Sequence, residues 1–211
     1  MRPPSPAAFC IAASLFITIA CPSAQAQEKT TAPASSSMKK TVSVAPASKS
    51  PTTKPLAPAE IRSKLGFLAG SFMTEITVPP GPMAPQGGNG QGTSVMAWAL
   101  DSMFLILDDQ SQNPLLGNYK AHGVLGYDVS SQQFILSIFN NSGDRPIYKG
   151  GFTGDTLVLI THVPMPKRPF DQKILWYKSG SAVKLQILLD SGKGYALVID
   201  ETETPMPPPI K

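Results

Sequence analysis

From residue 71 onward the chain alternates apolar and polar side chains in short runs, the two-residue period of a half-buried strand. Ten segments read this way: 71–78 (SFMTEITV), 93–100 (TSVMAWAL), 102–109 (SMFLILDD), 118–127 (NYKAHGVLGY) and 133–140 (QFILSIFN), followed by 146–153 (PIYKGGFT), 156–163 (TLVLITHV), 172–179 (QKILWYKS), 182–190 (AVKLQILLD) and 194–202 (GYALVIDET). In the ninth, Val183, Leu185, Ile187 and Leu189 share one face, with Lys184, Gln186 and Asp190 on the other. In the tenth, Tyr195, Leu197 and Ile199 oppose Ala196, Val198 and Asp200. The fifth and seventh are apolar on both faces and call for a cover on the outside. Turn formers such as Ser130-Ser131, Asn141-Ser142-Gly143-Asp144 and Gly154-Asp155 separate the segments, as do Ser179-Gly180 and Ser191-Gly192-Lys193. Links this short exclude helical crossovers, so the segments predict an all-β antiparallel sandwich or barrel.

Before the strands, Pro58-Ala59-Glu60-Ile61 has the proline and acid of a first helical turn. Ile61, Leu65 and Leu68 then recur at helical spacing up to Gly70. One short helix over 59–68 is predicted, and it is the natural cover for one of the doubly apolar strands. Two longer loops, 79–92 (PPGPMAPQGGNGQG) and 164–171 (PMPKRPFD), fall at barrel ends as lids or plain connections.

The N-terminus changes the picture. Arg2, an apolar run from Ala7 to Ala20 and Ala24-Gln25-Ala26 form a secretory signal cleaved after Ala26. A competing reading lipidates Cys21, although Thr18 stands where lipoprotein signals place Leu, Val or Ile. Residues 27–57, rich in Ala, Ser, Thr, Pro and Lys with no aromatic residue, read as a disordered linker. The β domain is expected over 58–204 and a Pro-rich tail over 205–211. The protein is therefore expected to be secreted or periplasmic, with no membrane span. Both cysteines, Cys10 and Cys21, fall in the signal, so the mature core must be stable without a disulfide.

The net charge of +4 does not indicate nucleic acid, because residues 27–57 alone carry five lysines against Glu28. From residue 58 on, basic and acidic residues nearly balance, leaving no clustered positive face for phosphates.

Several motifs together resemble the DUF1579 family. Leu65-Gly66-Phe67-Leu68-Ala69-Gly70-Ser71-Phe72 is similar to its opening L-x-x-L-x-G-[ST]-W. Tyr119 with His122-Gly123-Val124-Leu125-Gly126-Tyr127-Asp128 resembles its HGxxGYD-type signature. Leu100 to Leu105 resembles an L-x-G-x-F-L step, and Tyr148-Lys149-Gly150 a Y-x-G hairpin. The likeness covers about 60–204. It implies a calycin-like, lipocalin-related closed barrel of about 8–10 strands with one short N-terminal helix, and it implies no activity. Phe72 replaces the family's Trp, and Ser102-Met103 its Gly-Arg or Gly-Lys.

No catalytic constellation emerges. There is no G-x-S-x-G, and the mature chain has no Cys nucleophile. Gly88-Asn89-Gly90-Gln91-Gly92 precedes a strand and so lacks the helix N-terminus of a phosphate loop. Asp108-Asp109 and Asp200-Glu201-Glu203 lie near segment ends, where charges are expected in solvent. Two histidines, His122 and His162, are too few for zinc; either is a haem ligand only by analogy with calycin-like nitrobindins. No metal or cofactor is expected.

The candidate ligand-binding residues are Trp98, Phe104, Tyr119, Tyr148 and Trp176, with His122 and His162 beside them. In a barrel of this size, such rings line a cavity for one small hydrophobic guest or fill the core. The leading expectation is non-catalytic binding of a small hydrophobic ligand. The alternatives are a structural or interaction module with a filled core and, behind it, a barrel enzyme using one tyrosine or histidine.

Overall fold

The computed structural model describes residues 54–164, 169–190 and 192–207, all within one unit, Ser50–Lys211. The expected signal peptide with its Cys21 and Ala26 sites, the linker up to residue 53 and the tail beyond residue 207 lie outside the described residues.

The chain opens with helix α1 (Pro58–Leu65), extended by a 3-10 turn over Gly66–Leu68. Pro58 starts it without wasting an N–H, and the Ala57 N–H donates to Glu60 Oε2 at 2.7 Å. Ten strands follow: β1 (Gly70–Val78), β2 (Gly88–Ala99), β3 (Phe104–Asn113), β4 (Gly117–Asp128), β5 (Gln133–Asn140), β6 (Ile147–Thr153), β7 (Thr156–Val163), β8 (Phe170–Ser179), β9 (Ala182–Asp190) and β10 (Tyr195–Pro205). Each pairs antiparallel with its chain neighbour, and β1 pairs with β10, so the sheet closes into a barrel of calycin-like architecture. Closure leaves no edge strand with unpaired backbone groups.

Because every connection is a hairpin, the turns after β2, β4, β6 and β8 lie at one end and the others at the opposite end. Helix α1 sits at the first end. Arg62 Nη2 donates to Asp101 O in the β2–β3 turn at 3.5 Å, Lys64 Nζ lies 5.0 Å from the Phe152 ring at the end of β6, and the Leu56 N–H reaches Tyr127 Oη at 3.5 Å. Ile61, Leu65 and Leu68 are buried in one cluster with the inward-facing Phe72, Met96, Leu105, Leu125, Phe134 and Leu157. The helix therefore stoppers the barrel instead of covering an outer face. Its single apolar stripe fits the open end, where each of the three side chains contributes about 1.5–3 kcal/mol by burial. On the outside, Phe139 of β5 and Ile160 of β7 stay exposed.

β2, β3 and β10 run well beyond the hydrophobic runs, and β8 starts at Phe170, inside the expected second loop. β2 begins at Gly88, which shortens the first loop to 79–87. A Cβ at Gly92 would collide with the Gln110 carbonyl of β3, so this glycine marks a close approach of two strands and not a loop. β3 continues to Asn113 and β10 to Pro205, both carried by polar residues.

Candidate functional site

Position along the strands divides the inward-facing residues into two halves. The half nearest α1 is solid, filled by the apolar cluster just described. The other half encloses a cavity of about 810 Å³, within the range of small-molecule sites. Its mouth lies at the end away from the helix, rimmed by Met83, Leu116, Asp144, Arg145 and Phe170. One wall is mainly apolar: Ile138, Ile174, Leu185 and Ile187, with the rings of Tyr148 and Trp176.

The facing side, on β10, β1, β2 and β3, carries the polar groups of the lining beside Ile76, Leu107 and Ile199. Glu201 and Glu203 come from β10, Ser94 from β2, and Asp109 and Ser111 from β3. Thr74 of β1 stands between, in register with Glu203. Glu203 is 1% exposed and Glu201 7%. Loss of water disfavours their charged forms, and Asp109 adds repulsion to both. Glu203 is pushed up to about 8, and Glu201 is also raised well above the usual carboxylate range. Desolvation lifts the half-buried Asp109 to about 6. Near neutral pH Asp109 is thus mostly ionised, while Glu203 mostly holds its proton.

Four buried polar atoms of the described residues have no hydrogen-bond partner: Thr74 Oγ1, Asp109 Oδ1, Trp176 Nε1 and Glu203 Oε2. The Thr74 hydroxyl and the Trp176 indole N–H are donors beside Glu201 and Glu203, and they favour the ionised acids. Neither of these donor atoms reaches hydrogen-bond geometry. Two phenols complete the lining. Burial, followed by the charge of Asp109, pushes Tyr119 up to about 12; burial, followed by Tyr119, raises Tyr148 further. Both stay neutral and able to donate.

Of the residues singled out from sequence, Tyr119, Tyr148 and Trp176 meet around this cavity. Trp98 also has inward parity but packs, half-buried, against the filled half. Phe104 faces outward, its ring lying against Gly126 where a Cβ would stand. His122 is on the outer surface, its Nδ1 2.8 Å from Asp108 Oδ1. His162, at the mouth, also points outward, with Nδ1 2.8 Å from Asp171 Oδ1. Among the described residues no group of three or more His, Cys, Asp or Glu is placed to hold a metal ion.

The acids depart from the sequence expectation. Asp108 and Asp200 are in solvent or near it, the latter 3.2 Å from Lys184 Nζ, but Asp109, Glu201 and Glu203 are inside. The signal was parity. Asp109 continues Leu105-x-Leu107, and Glu201 and Glu203 continue from Ile199.

No protein-family model matches the chain, and no curated protein matches it in sequence.

Proposed function

We propose that this barrel binds a small, largely hydrophobic molecule in its open half, without covalent chemistry. The observation that carries the reading is the cavity of about 810 Å³ with an apolar wall and a mouth away from the helix. A structural module with a filled core would extend the packing of the α1 end through the whole barrel. The resemblance to DUF1579 proteins is in keeping with this architecture and adds no chemistry. The N-terminal pattern supports export with cleavage after Ala26, and lipidation at Cys21 is the variant reading.

Native mass spectrometry of protein purified from its exporting host, with an absorbance spectrum, tests both parts. Extra mass lost on denaturation is expected, on a polypeptide starting at Gln27. Bare polypeptide, together with no uptake of added apolar probes, would overturn the binding reading. A Soret band would replace it with haem, and a diacylglyceryl mass at Cys21 would replace the cleavage site.

A further inference from the structure

We propose that the polar wall of this cavity recognises the ammonium head of an amphiphilic amine, whose hydrocarbon body lies against the apolar wall. The proposal rests on reading the cavity as a ligand site and specifies its chemistry.

Three carboxyl groups from two non-adjacent strands converge on one cavity whose only lining Lys or Arg, among the described residues, is Arg145 at the rim. Asp109 Oδ1 and Glu203 Oε2 are buried without partners, so two acceptors face the interior unmet. Buried acids retained without a counter-charge cost stability unless something else supplies it. The Trp176 indole N–H, also buried and unpartnered, is a second and independent sign. An ionised Glu203 would be a stronger acceptor for it than the neutral acid. An entering ammonium group supplies the missing charge, donates to Asp109 and Glu203, and allows the indole to bond to the resulting carboxylate. A carboxylate or phosphate head would instead meet Asp109 with like charge.

The same geometry makes binding proton-linked. The titratable groups facing the head position are Asp109 from β3, Glu201 and Glu203 from β10, Tyr119 from β4 and Tyr148 from β6, with Asp144 and Arg145 at the rim. Thr74, Ser94 and Trp176 from β1, β2 and β8 do not titrate. The tyrosines stay neutral, so the proton displaced by the ammonium ion comes from a glutamic acid: R–NH₃⁺ binds, a glutamic acid becomes glutamate, and H⁺ passes to buffer. Affinity then rises with pH between 6 and 8, by up to about tenfold per unit for one proton released.

Isothermal titration of the full mature chain with n-octylamine, 1-octanol and octanoate tests this. Octylamine is expected to bind at least about tenfold tighter than octanol, and octanoate weakest. The apparent heat should differ between phosphate and Tris at pH 7, as proton release requires. Asp109→Asn with Glu203→Gln should bring the amine-to-alcohol ratio near one, and Asp108→Asn, outside the barrel, should leave it unchanged. Octanol equal to octylamine, or a heat independent of buffer, would overturn the amine assignment and leave the cavity reading standing. Failure of all three probes to bind would overturn both. Should the double variant not fold, the buffer dependence of the wild type decides alone.

Discussion

Asp108 and Asp109 are chain neighbours on β3 whose carboxyl groups lie on opposite sides of the barrel wall. Asp108 Oδ1 is 2.8 Å from His122 Nδ1 across the outer face, the two being register partners on β3 and β4. Asp109 is in register with Ser94 of β2 and faces the cavity, where its Oδ1 is buried without a partner. One residue of strand separates a solvated charge pair from a desolvated acid.

The outer pair should contribute little. Both side chains are more than half exposed, at 54% for His122 and 63% for Asp108, so water and salt screen their attraction. Asp108→Asn is expected to change unfolding free energy by less than about 1 kcal/mol at pH 6. Urea denaturation of Asp108→Asn, His122→Asn and the double variant measures the pair's coupling directly. A coupling well above that size would mean that the pair is less solvated than it stands here.

The inner acids give the opposite pH signature to ordinary surface carboxylates. Glu203 has its pKa raised on folding, to about 8 from its ordinary 4.5, so the native state holds a proton that the unfolded chain gives up. The stabilising contribution is complete below about pH 4.5 and is lost as pH rises through 8, with a slope of up to about 1.4 kcal/mol per unit. Glu201 and Asp109 shift in the same direction. The unliganded barrel is therefore expected to be less stable at pH 8 than at pH 5. Glu203→Gln, neutral at both, should flatten the dependence and raise the urea midpoint at pH 8. A midpoint that climbs from pH 5 to 8 would show that these acids ionise freely in the fold.

The architecture was more legible than the site, for a physical reason. Strand alternation and short turns carry the hairpin sequence in every segment, and Ile61, Leu65 and Leu68 mark the helix, so the all-β antiparallel fold follows from local pattern. Where the helix docks does not, because its apolar stripe suits an outer sheet face and a barrel end equally. Closure and the position of the cavity depend on long-range pairing, chiefly β1 with β10. The acids were misplaced by treating charge as a mark of solvent exposure. Parity alone places Glu201 and Glu203 with Ile199, but a rule that charges lie outside outweighs it unless a polar interior is already suspected. The tyrosines and Trp176 were found because aromatic residues are expected inside in either case.

The β2–β3 turn holds Leu100, Asp101 and Ser102 consecutively in left-handed backbone, at φ 49°, 56° and 64°. L-residues are disfavoured there, and glycine is not. Asp101 O accepts from Arg62, so this turn also ties α1 to the barrel end that the helix plugs. Ser102→Gly is expected to stabilise the protein by roughly 0.5–1 kcal/mol, the relief of left-handed strain exceeding glycine's added freedom when unfolded. Thermal melts should show a rise of a few degrees. A fall would mean that the serine makes a compensating contact when folded.

The two halves of the barrel should respond oppositely to changes in side-chain size. Leu105, fully buried in the filled half, has no slack around it, and Leu105→Ala is expected to cost about 2–5 kcal/mol through lost burial and a new void. Ala121, by contrast, lines the open half, where added volume displaces cavity space and not packed atoms. Ala121→Leu should stay within about 1 kcal/mol of wild type, since the cavity offers room that a packed core would not. The same variant should weaken uptake of an apolar probe by reducing the space available to it. Urea unfolding of the two variants and probe titration of Ala121→Leu check this together. Equal destabilisation by Leu105→Ala and Ala121→Leu would show that the open half is packed in solution, and the cavity on which the binding proposal stands would be gone.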